Sequence, residues 1–222
     1  DPIEMVSPEV NQMQVQPAID LDFAAGVRTL LRQDPDIIMI GEIRDLETAQ
    51  MAVQASLTGH LVLSTLHTND APSAVTRLLD LGVPHYLIQS TLTGVVAQRL
   101  VRTLCPHCKQ PAEQEPHAWA ALTHGWSLPL PAQVCRPAGC LECRNTGFLG
   151  RTGIYEMLCL GPRLRALISP QLDLGGFGAA ALGAGMQPLR ISAAAQVARG
   201  LTTVQEVLTV LPPIEQPDEH QP

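Results

Sequence analysis

Four cysteines in two pairs are the residues of this sequence whose type and spacing indicate a chemistry most directly. Cys105 and Cys108 form one C-x-x-C pair, Cys140 and Cys143 form a second, and 31 residues separate the two pairs. This spacing is typical of a structural zinc site in which each pair supplies two thiolates. Disulfide bonds are the alternative, but a cytoplasmic setting keeps thiols reduced and favours a metal. We predict a closed Zn²⁺ site that stabilises a small subdomain.

A second set of polar side chains follows two short apolar runs. Residues 37–40 are all apolar and lead into Gly41 and Glu42, which predicts a strand buried on both faces of a parallel sheet. His60 precedes the apolar run 61–63, and His67 follows it. Ligands of open α/β sheets bind outside the carboxyl ends of the strands, so Glu42 is placed to meet a metal–nucleotide complex. Ordinary strand ends also carry acids and hydrogen-bonded histidines, so a purely structural role for these residues stays open.

The segments around the first apolar run predict the elements that position these groups. Alternation over residues 12–16 favours an edge strand. A helix is expected from about 22 to 31, which places Arg28 and Arg32, four residues apart, on the same side. Asp45 is expected to cap the next helix.

The chain from residue 71 onward is predicted to be mostly helical on either side of the cysteines. Residues 71–82 favour a helix, and a further helix is expected to begin near Pro84 and to turn apolar residues inward as far as Val96. A short helix is expected around Trp119, and a strand at 154–158. Residues 203–206 have the pattern of a capping box.

Composition and charge restrict the classes of function. The chain has 222 residues, 45% of them hydrophobic, with 14 basic against 21 acidic residues, which argues against a dedicated nucleic-acid binder. No apolar run has the length of a membrane span, so no membrane insertion is expected. The single lysine, Lys109, does not lie in a GxxxxGK[ST] phosphate loop. We expect such a loop upstream, or a natural paralogue that has lost the activity.

Several motifs resemble those of the ATPases that drive type II secretion and type IV pili. DIIMIGEIRD (36–45) resembles their Walker B segment, TGHLVLSTLHTND (58–70) their histidine box, DPIE (1–4) their aspartate box, and RTGIYE (151–156) a later shared segment. The resemblance implies an α/β fold: a truncated RecA-like P-loop NTPase core with a four-cysteine zinc subdomain and a small helical C-terminal end. The implied domains are the core at 1–104, the zinc subdomain and return strand at 105–158, a helical subdomain at 159–211 and a disordered tail at 212–222.

The resemblance also implies roles for individual residues. Glu4 corresponds to the base for the attacking water, Glu42 to the acid that supports Mg²⁺, and His67 to a sensor of the γ-phosphate of ATP. Residues implied at the nucleotide or the subunit interface are His60, Arg28, Arg32, Arg44 and Arg77. Read without the family, Glu4 is a terminal surface acid and the arginines are solvated helix residues.

The function implied by the resemblance is that of a motor. A homo-hexamer would hydrolyse ATP, with Mg²⁺, at the cytoplasmic side of the inner membrane and drive pseudopilus assembly for type II secretion through platform and other membrane-bound secretion proteins. The cysteine pairs resemble those of secretion and pilus-assembly ATPases, so a type IV pilus assembly ATPase is one alternative. A non-catalytic, zinc-bearing scaffold is an alternative of another class.

Overall fold

The computed structural model describes residue 3 and residues 5–211, and these form two compact units. Unit 1 takes the chain up to Thr68, then Pro72–Val95 and Cys159–Ala180. Unit 2 takes Asn69–Ala71, Val96–Leu158 and the chain from Ala181 onward. Glu4 and the predicted tail at 212–222 lie outside the described residues. The domain boundaries expected at 104 and 158 stay a prediction.

The described chain contains both helices and strands. In order they are a 3₁₀ helix (Pro17–Ile19), α1 (Phe23–Leu30), β1 (Ile37–Ile40), α2 (Leu46–Leu57), β2 (Leu61–Ser64), α3 (Ala71–Asp80), α4 (His85–Thr91), β3 (Gly94–Leu104), β4 (Gln110–Ala112), α5 (Pro116–Leu122), β5 (Val134–Arg136), β6 (Phe148–Cys159), α6 (Pro162–Arg165), α7 (Leu174–Gly183), α8 (Leu189–Ala198) and α9 (Val204–Val210). Among the described residues, no helix combines the length and the apolar character that a membrane span requires.

The parallel pair β1–β2 is the sheet of unit 1. Its register pairs Ile37 with Leu61 and Ile40 with Ser64, so both strands end at the same edge. Ile38 and Ile40 are buried against apolar residues that include Val27 of α1. The expectation that β1 is buried on both faces is wrong, because successive side chains of a strand point to opposite faces and only one face of this sheet is covered in the described chain.

Helix caps in unit 1 follow from local sequence, and the cap predicted at Asp45 is confirmed. The Asp45 carboxylate accepts a hydrogen bond from the N–H of Thr48 at 2.8 Å and so begins α2. Asp22 does the same for α1, with the N–H of Ala25 at 2.7 Å. After α2 the chain turns at Gly59, whose φ of 101° lies in the left-handed region that glycine tolerates.

Two expected elements differ from the structure. Residues 12–16 form no edge strand, and only an isolated bridge joins Gln16 to Leu21. The helix that begins after Pro84 is α4, but it ends at Thr91, and β3 begins at Gly94. Because burial in β3 alternates residue by residue, as with buried Ala97 next to exposed Val96, the segment has the period of a strand.

Unit 2 encloses its own hydrophobic core. Strand β6 contains the predicted return strand and pairs with β3, while α5 is the short helix expected around Trp119. The core is formed by residues from β3, β6, α5, α8 and α9, among them Val101, Trp119, Leu122, Ile154, Ala193 and Val207.

A buried carboxylate joins α9 to β3. Thr203 Oγ1 accepts the N–H of Glu206 at 3.1 Å, which is one half of the predicted capping box. The Glu206 carboxylate accepts instead from Arg102, at 3.0 Å from the backbone N and 2.9 Å from Nε. The guanidinium of Arg102 also lies 4.3 Å from the centre of the Phe148 ring. The hydrogen bond from Arg102 lowers the pKa of the Glu206 carboxyl, although burial opposes the shift.

The one-sided burial of β1 predicts unequal effects of two neighbouring truncations. Ile38 is 2% exposed and Ile37 is 59% exposed. Ile38→Ala is expected to lower the free energy of unfolding by about 3 kcal/mol because it opens a cavity in the core. Ile37→Ala, the matched control, is expected to lower it by less than about 1 kcal/mol. Urea unfolding measures both values, and equal losses would contradict one-sided burial.

The Glu206–Arg102 contact predicts a pH dependence of stability. A carboxyl whose pKa is lowered by folding stabilises the protein above the pKa of its unfolded state, about 4.3, and loses that contribution as the pH falls through the folded pKa. The difference in unfolding free energy between wild type and Glu206→Gln should therefore be largest at neutral pH and shrink below about pH 4. The exposed Glu113→Gln is the control. A difference that is independent of pH would show that charge has no part in the contact.

Candidate functional site

The carboxyl ends of β1 and β2 bring together the two residues predicted there. The Thr65 hydroxyl donates to the carbonyl oxygen of Gly41 at 2.6 Å, and the N–H of Ile43 donates to the carbonyl oxygen of Thr65 at 3.0 Å. These bonds join the two loops that leave the strands. His67 Nε2 consequently lies 2.9 Å from Glu42 Oε2, although the residues are 25 positions apart.

Glu42 is a buried acid between two groups that can carry positive charge. The residue is 4% exposed, whereas the His67 side chain is 91% exposed. The other carboxylate oxygen, Oε1, forms an ion pair with Nε of Arg44, a mostly exposed side chain. A carboxylate held in this way presents its charge at the strand ends, and His67 is accessible there to a ligand from solvent.

His60 has local contacts at the end of α2. Its Nδ1 lies 2.9 Å from the carbonyl oxygen of Ala55 and 3.1 Å from Thr58 Oγ1. Because a carbonyl oxygen only accepts, Nδ1 carries the proton. These contacts hold the last turn of the helix, which matches the structural role that the sequence left open for this histidine.

The four candidate arginines lie at different places in unit 1. Arg28 on α1 is exposed and lies 3.6 Å from the carboxylate of Glu47 on α2. Arg32 lies in the turn after α1, because the helix ends at Leu30, so the expectation that it shares a helix face with Arg28 is wrong. Arg77 is exposed on α3. Arg44, predicted for a subunit interface, pairs with Glu42 of its own chain.

The four paired cysteines converge in unit 2. The sulfurs of Cys105, Cys108, Cys140 and Cys143 all lie within 4.8 Å of one another. Sγ–Sγ distances are 3.8 Å for Cys105–Cys140, 3.8 Å for Cys108–Cys143 and 3.7 Å for Cys140–Cys143. Four thiolates about 2.3 Å from one ion occupy a tetrahedron with edges of about 3.8 Å, whereas a disulfide needs about 2.05 Å. The cluster therefore has the dimensions of a tetrahedral metal site.

Backbone donors polarise the sulfurs of this cluster. Burial alone would raise the pKa of the Cys143 thiol, but N–H groups of Cys140 and Gly147, each 3.2 Å from the sulfur, lower it to about 6. Burial raises the pKa of the Cys108 thiol to about 11, against the N–H of Gly139. One sulfur is thus readily ionised, and a cation at the centre would favour the thiolate form of the others.

Sequence reasoning missed Gly147, which allows the chain after the second cysteine pair to pass close to Pro137. Gly147 has a φ of 76°, and a Cβ on it would lie 2.3 Å from Cβ of Pro137. Only glycine permits this close approach with the N–H directed at Cys143. The Thr146-Gly147 turn directly after the cysteine pair was the available signal. Cys135 and Cys159 lie outside the cluster.

Comparisons with known proteins agree on one family. A family model described as "Type II/IV secretion system protein" matches residues 1–209. The chain is 56% identical over 212 residues to the type IV pilus assembly ATPase TfpB of Acinetobacter baylyi. This match covers 96% of the chain and 36% of TfpB. The chain is 48% identical over 210 residues to the type II secretion system ATPase E of Vibrio cholerae. This match covers 95% of the chain and 41% of that protein. The chain thus spans about two fifths of the length of these relatives.

A solved structure supports the predicted fold. The pilus retraction motor PilT with bound ADP superposes with a TM-score of 0.57 at 26% identity, over 85% of the chain and 43% of PilT. The α/β fold class, part of a RecA-like ATPase core with a four-cysteine subdomain, is confirmed by this likeness and by the cysteine cluster.

The cluster geometry predicts metal binding that depends on the four paired cysteines alone. Purified under reducing conditions, the protein is expected to contain one metal ion per chain by elemental analysis. Cys140→Ser should remove most of this metal, because serine offers no thiolate and opens the tetrahedron. Cys135→Ser is the matched control and should retain it, since Cys135 lies outside the cluster. Equal metal content in both variants would contradict the assignment.

Proposed function

Because the chain belongs to the type II/IV secretion system protein family, we propose that it forms part of a motor ATPase whose ATP hydrolysis drives pseudopilus assembly in type II secretion. The observation that carries this proposal is the contact of Glu42 with His67 at the carboxyl ends of two parallel strands. Nucleotides bind at this edge in open α/β sheets. Relatives that cover almost the whole chain and are named as ATPases support the same activity.

Glu42 is proposed to support Mg²⁺ of an ATP complex. Carboxylate oxygens are ligands that Mg²⁺ prefers, and the burial of Glu42 at a strand end fits such a ligand or a water-mediated neighbour of the ion. When bound, Mg²⁺ neutralises charge on the phosphates. His67, hydrogen-bonded to Glu42, would respond to the γ-phosphate by changing that hydrogen bond. Glu4, the proposed base for water, lies outside the described residues.

The motor is proposed to work as a homo-hexamer with arginines that act across subunits. Arg28, Arg32 and Arg77 are exposed, and an arginine from a neighbouring subunit stabilises phosphate charge in many ATPases. The same role is proposed for Arg44, which also forms an ion pair with Glu42 of its own chain. His60, at the end of α2, is retained as a residue near the nucleotide or the interface.

Zn²⁺ is the metal that we propose for the cysteine cluster. Four thiolates at tetrahedral spacing suit Zn²⁺, and closed coordination leaves no position for water. The ion would therefore stabilise the subdomain that contains β4, α5 and β5 and would take no part in hydrolysis.

The partners are proposed to be membrane-bound. An inner-membrane platform protein and other secretion proteins would receive the motion, with the motor on the cytoplasmic side, attached through these partners. No role in nucleic-acid binding is proposed for this acidic chain.

A type IV pilus assembly ATPase is the second candidate function. The observation that favours it is the 56% identity to a relative of that name, against 48% to a type II secretion ATPase. The residues proposed for hydrolysis are the same in both cases.

Glu42→Gln in the complete protein tests the catalytic proposal. The rate of ATP hydrolysis is expected to fall at least about a hundredfold, the order of effect when a preorganised electrostatic group is removed from a catalytic site. Metal bound by the cysteine cluster should stay unchanged. Glu113→Gln, an exposed glutamate in unit 2, should retain full hydrolysis. Turnover that persists in Glu42→Gln rejects the role of Glu42, and a complete wild-type protein without turnover would support a scaffold.

A further inference from the structure

A second buried carboxylate, Glu156 on β6, has no role in the proposed hydrolysis. Glu156 is 4% exposed and ends the segment RTGIYE. Its Oε1 accepts the N–H of Ala71 at 2.7 Å, and its Oε2 accepts the N–H of Leu189 at 3.3 Å. One side chain thus joins two segments that are more than a hundred residues apart.

Both donors are the first residues of helices. Ala71 begins α3 and Leu189 begins α8, so each N–H is one that the helix itself leaves without an acceptor. Helix amino termini carry partial positive charge, which stabilises a nearby carboxylate. Burial raises the pKa of the Glu156 carboxyl, the two N–H groups oppose that shift, and the nearby Asp70 adds to it. The two N–H groups therefore stabilise the ionised form of a carboxyl that burial penalises.

The segment held by Glu156 directly follows the histidine box residue His67. Asn69–Ala71 belong to unit 2 by their contacts. Arg99 Nη2 donates to the carbonyl oxygen of Asn69 at 3.1 Å, so the segment is held at both of its ends. Only Thr68 lies between this segment and His67.

We propose that Glu156 is a positioning residue: its carboxylate fastens residues 69–71 to the amino terminus of α8 and thereby limits the positions open to the adjoining His67. The expected effect of Glu156 on ATP hydrolysis rests on the proposed function, whereas its expected effect on the backbone of residues 69–71 does not. Loss of the carboxylate removes the acceptor of both N–H groups and loosens residues 69–71.

The variant Glu156→Gln tests this assignment, because it keeps the size of the side chain and leaves one acceptor oxygen for two donors. Hydrogen–deuterium exchange of backbone amides is measured in the complete protein. Exchange at Ala71 or at Leu189 is expected to rise about tenfold or more, as for the loss of a hydrogen bond to a charged acceptor. Exchange in α5 should stay unchanged. Unchanged rates at both amides overturn the proposal, as does a uniform rise throughout unit 2.

Two further variants separate this effect from general loss of stability. Arg99→Gln acts on the same segment from Asn69, and it should raise exchange at Ala71 while Leu189 stays protected. A matching rise at Leu189 would show that the loosening is general in unit 2 and does not follow the loss of one hydrogen bond, and the proposal would fail. Glu206→Gln removes another buried glutamate of unit 2 and should leave exchange at Ala71 unchanged.

Steady-state kinetics of ATP hydrolysis distinguish positioning of His67 from a purely structural role, because a purely structural role would leave kcat of the folded protein unchanged. Glu156→Gln should lower kcat several-fold with KM for ATP unchanged, because His67 is displaced while the fold persists. Glu206→Gln should leave kcat unchanged. If kcat is unchanged in Glu156→Gln although exchange at residues 69–71 rises, the positioning of His67 is rejected. A complete wild-type protein without turnover would instead reject the proposed function, and the exchange measurement would still decide whether Glu156 holds the segment.

Discussion

The parallel pairing of β1 with β2 is the constraint on which the candidate site depends. Parallel strands end at the same edge, so the register from Ile37–Leu61 to Ile40–Ser64 brings the following loops together. A shift by one residue would turn Ile38 and Ile40 away from the core and is therefore strongly disfavoured. The burial of two isoleucines thus fixes the distance between an acid and a histidine that lie 25 residues apart.

Three buried glutamates illustrate different ways of stabilising a carboxylate away from water. Glu206 is stabilised by a guanidinium and a backbone N–H of Arg102. Glu156 is held by the first N–H groups of two helices. Glu42 contacts Arg44 and the exposed His67, so its surroundings can change when a ligand enters. The first two fasten the fold, whereas the third has the accessibility that a binding site needs.

The cysteine cluster fixes the ends of a subdomain that has little regular structure. Strands β4 and β5 are each three residues long, and α5 has seven residues. A tetrahedral ion between the two C-x-x-C pairs would hold the start and the end of this segment, with backbone N–H groups directed at Cys108 and Cys143. Such coordination would add to the packing of Trp119 and Leu122, which join α5 to the core of unit 2.

Sequence by itself determined the features that depend on neighbours along the chain. The convergence of the paired cysteines, the Asp45 cap and the short helix around Trp119 follow from local rules and are confirmed by the structure. The pattern IGEIRD also placed Glu42 at a strand end. The contact of Glu42 with His67 was not predicted, because it depends on the register of β1 with β2.

Only the tertiary structure decided the features that depend on distant partners. Apolar residues after Thr91 suit a helix or a strand, and pairing of β3 with β6 selected the strand. The capping box at Thr203 was half correct because Glu206 meets Arg102, which lies 104 residues away. Glu156 found its partners, the N–H groups of Ala71 and Leu189, in the same way. Local sequence determines the conformational preference of each segment. The partners of a buried charge are determined by the hydrogen-bond donors that the folded chain brings within reach, because burying a charge without a partner costs too much free energy.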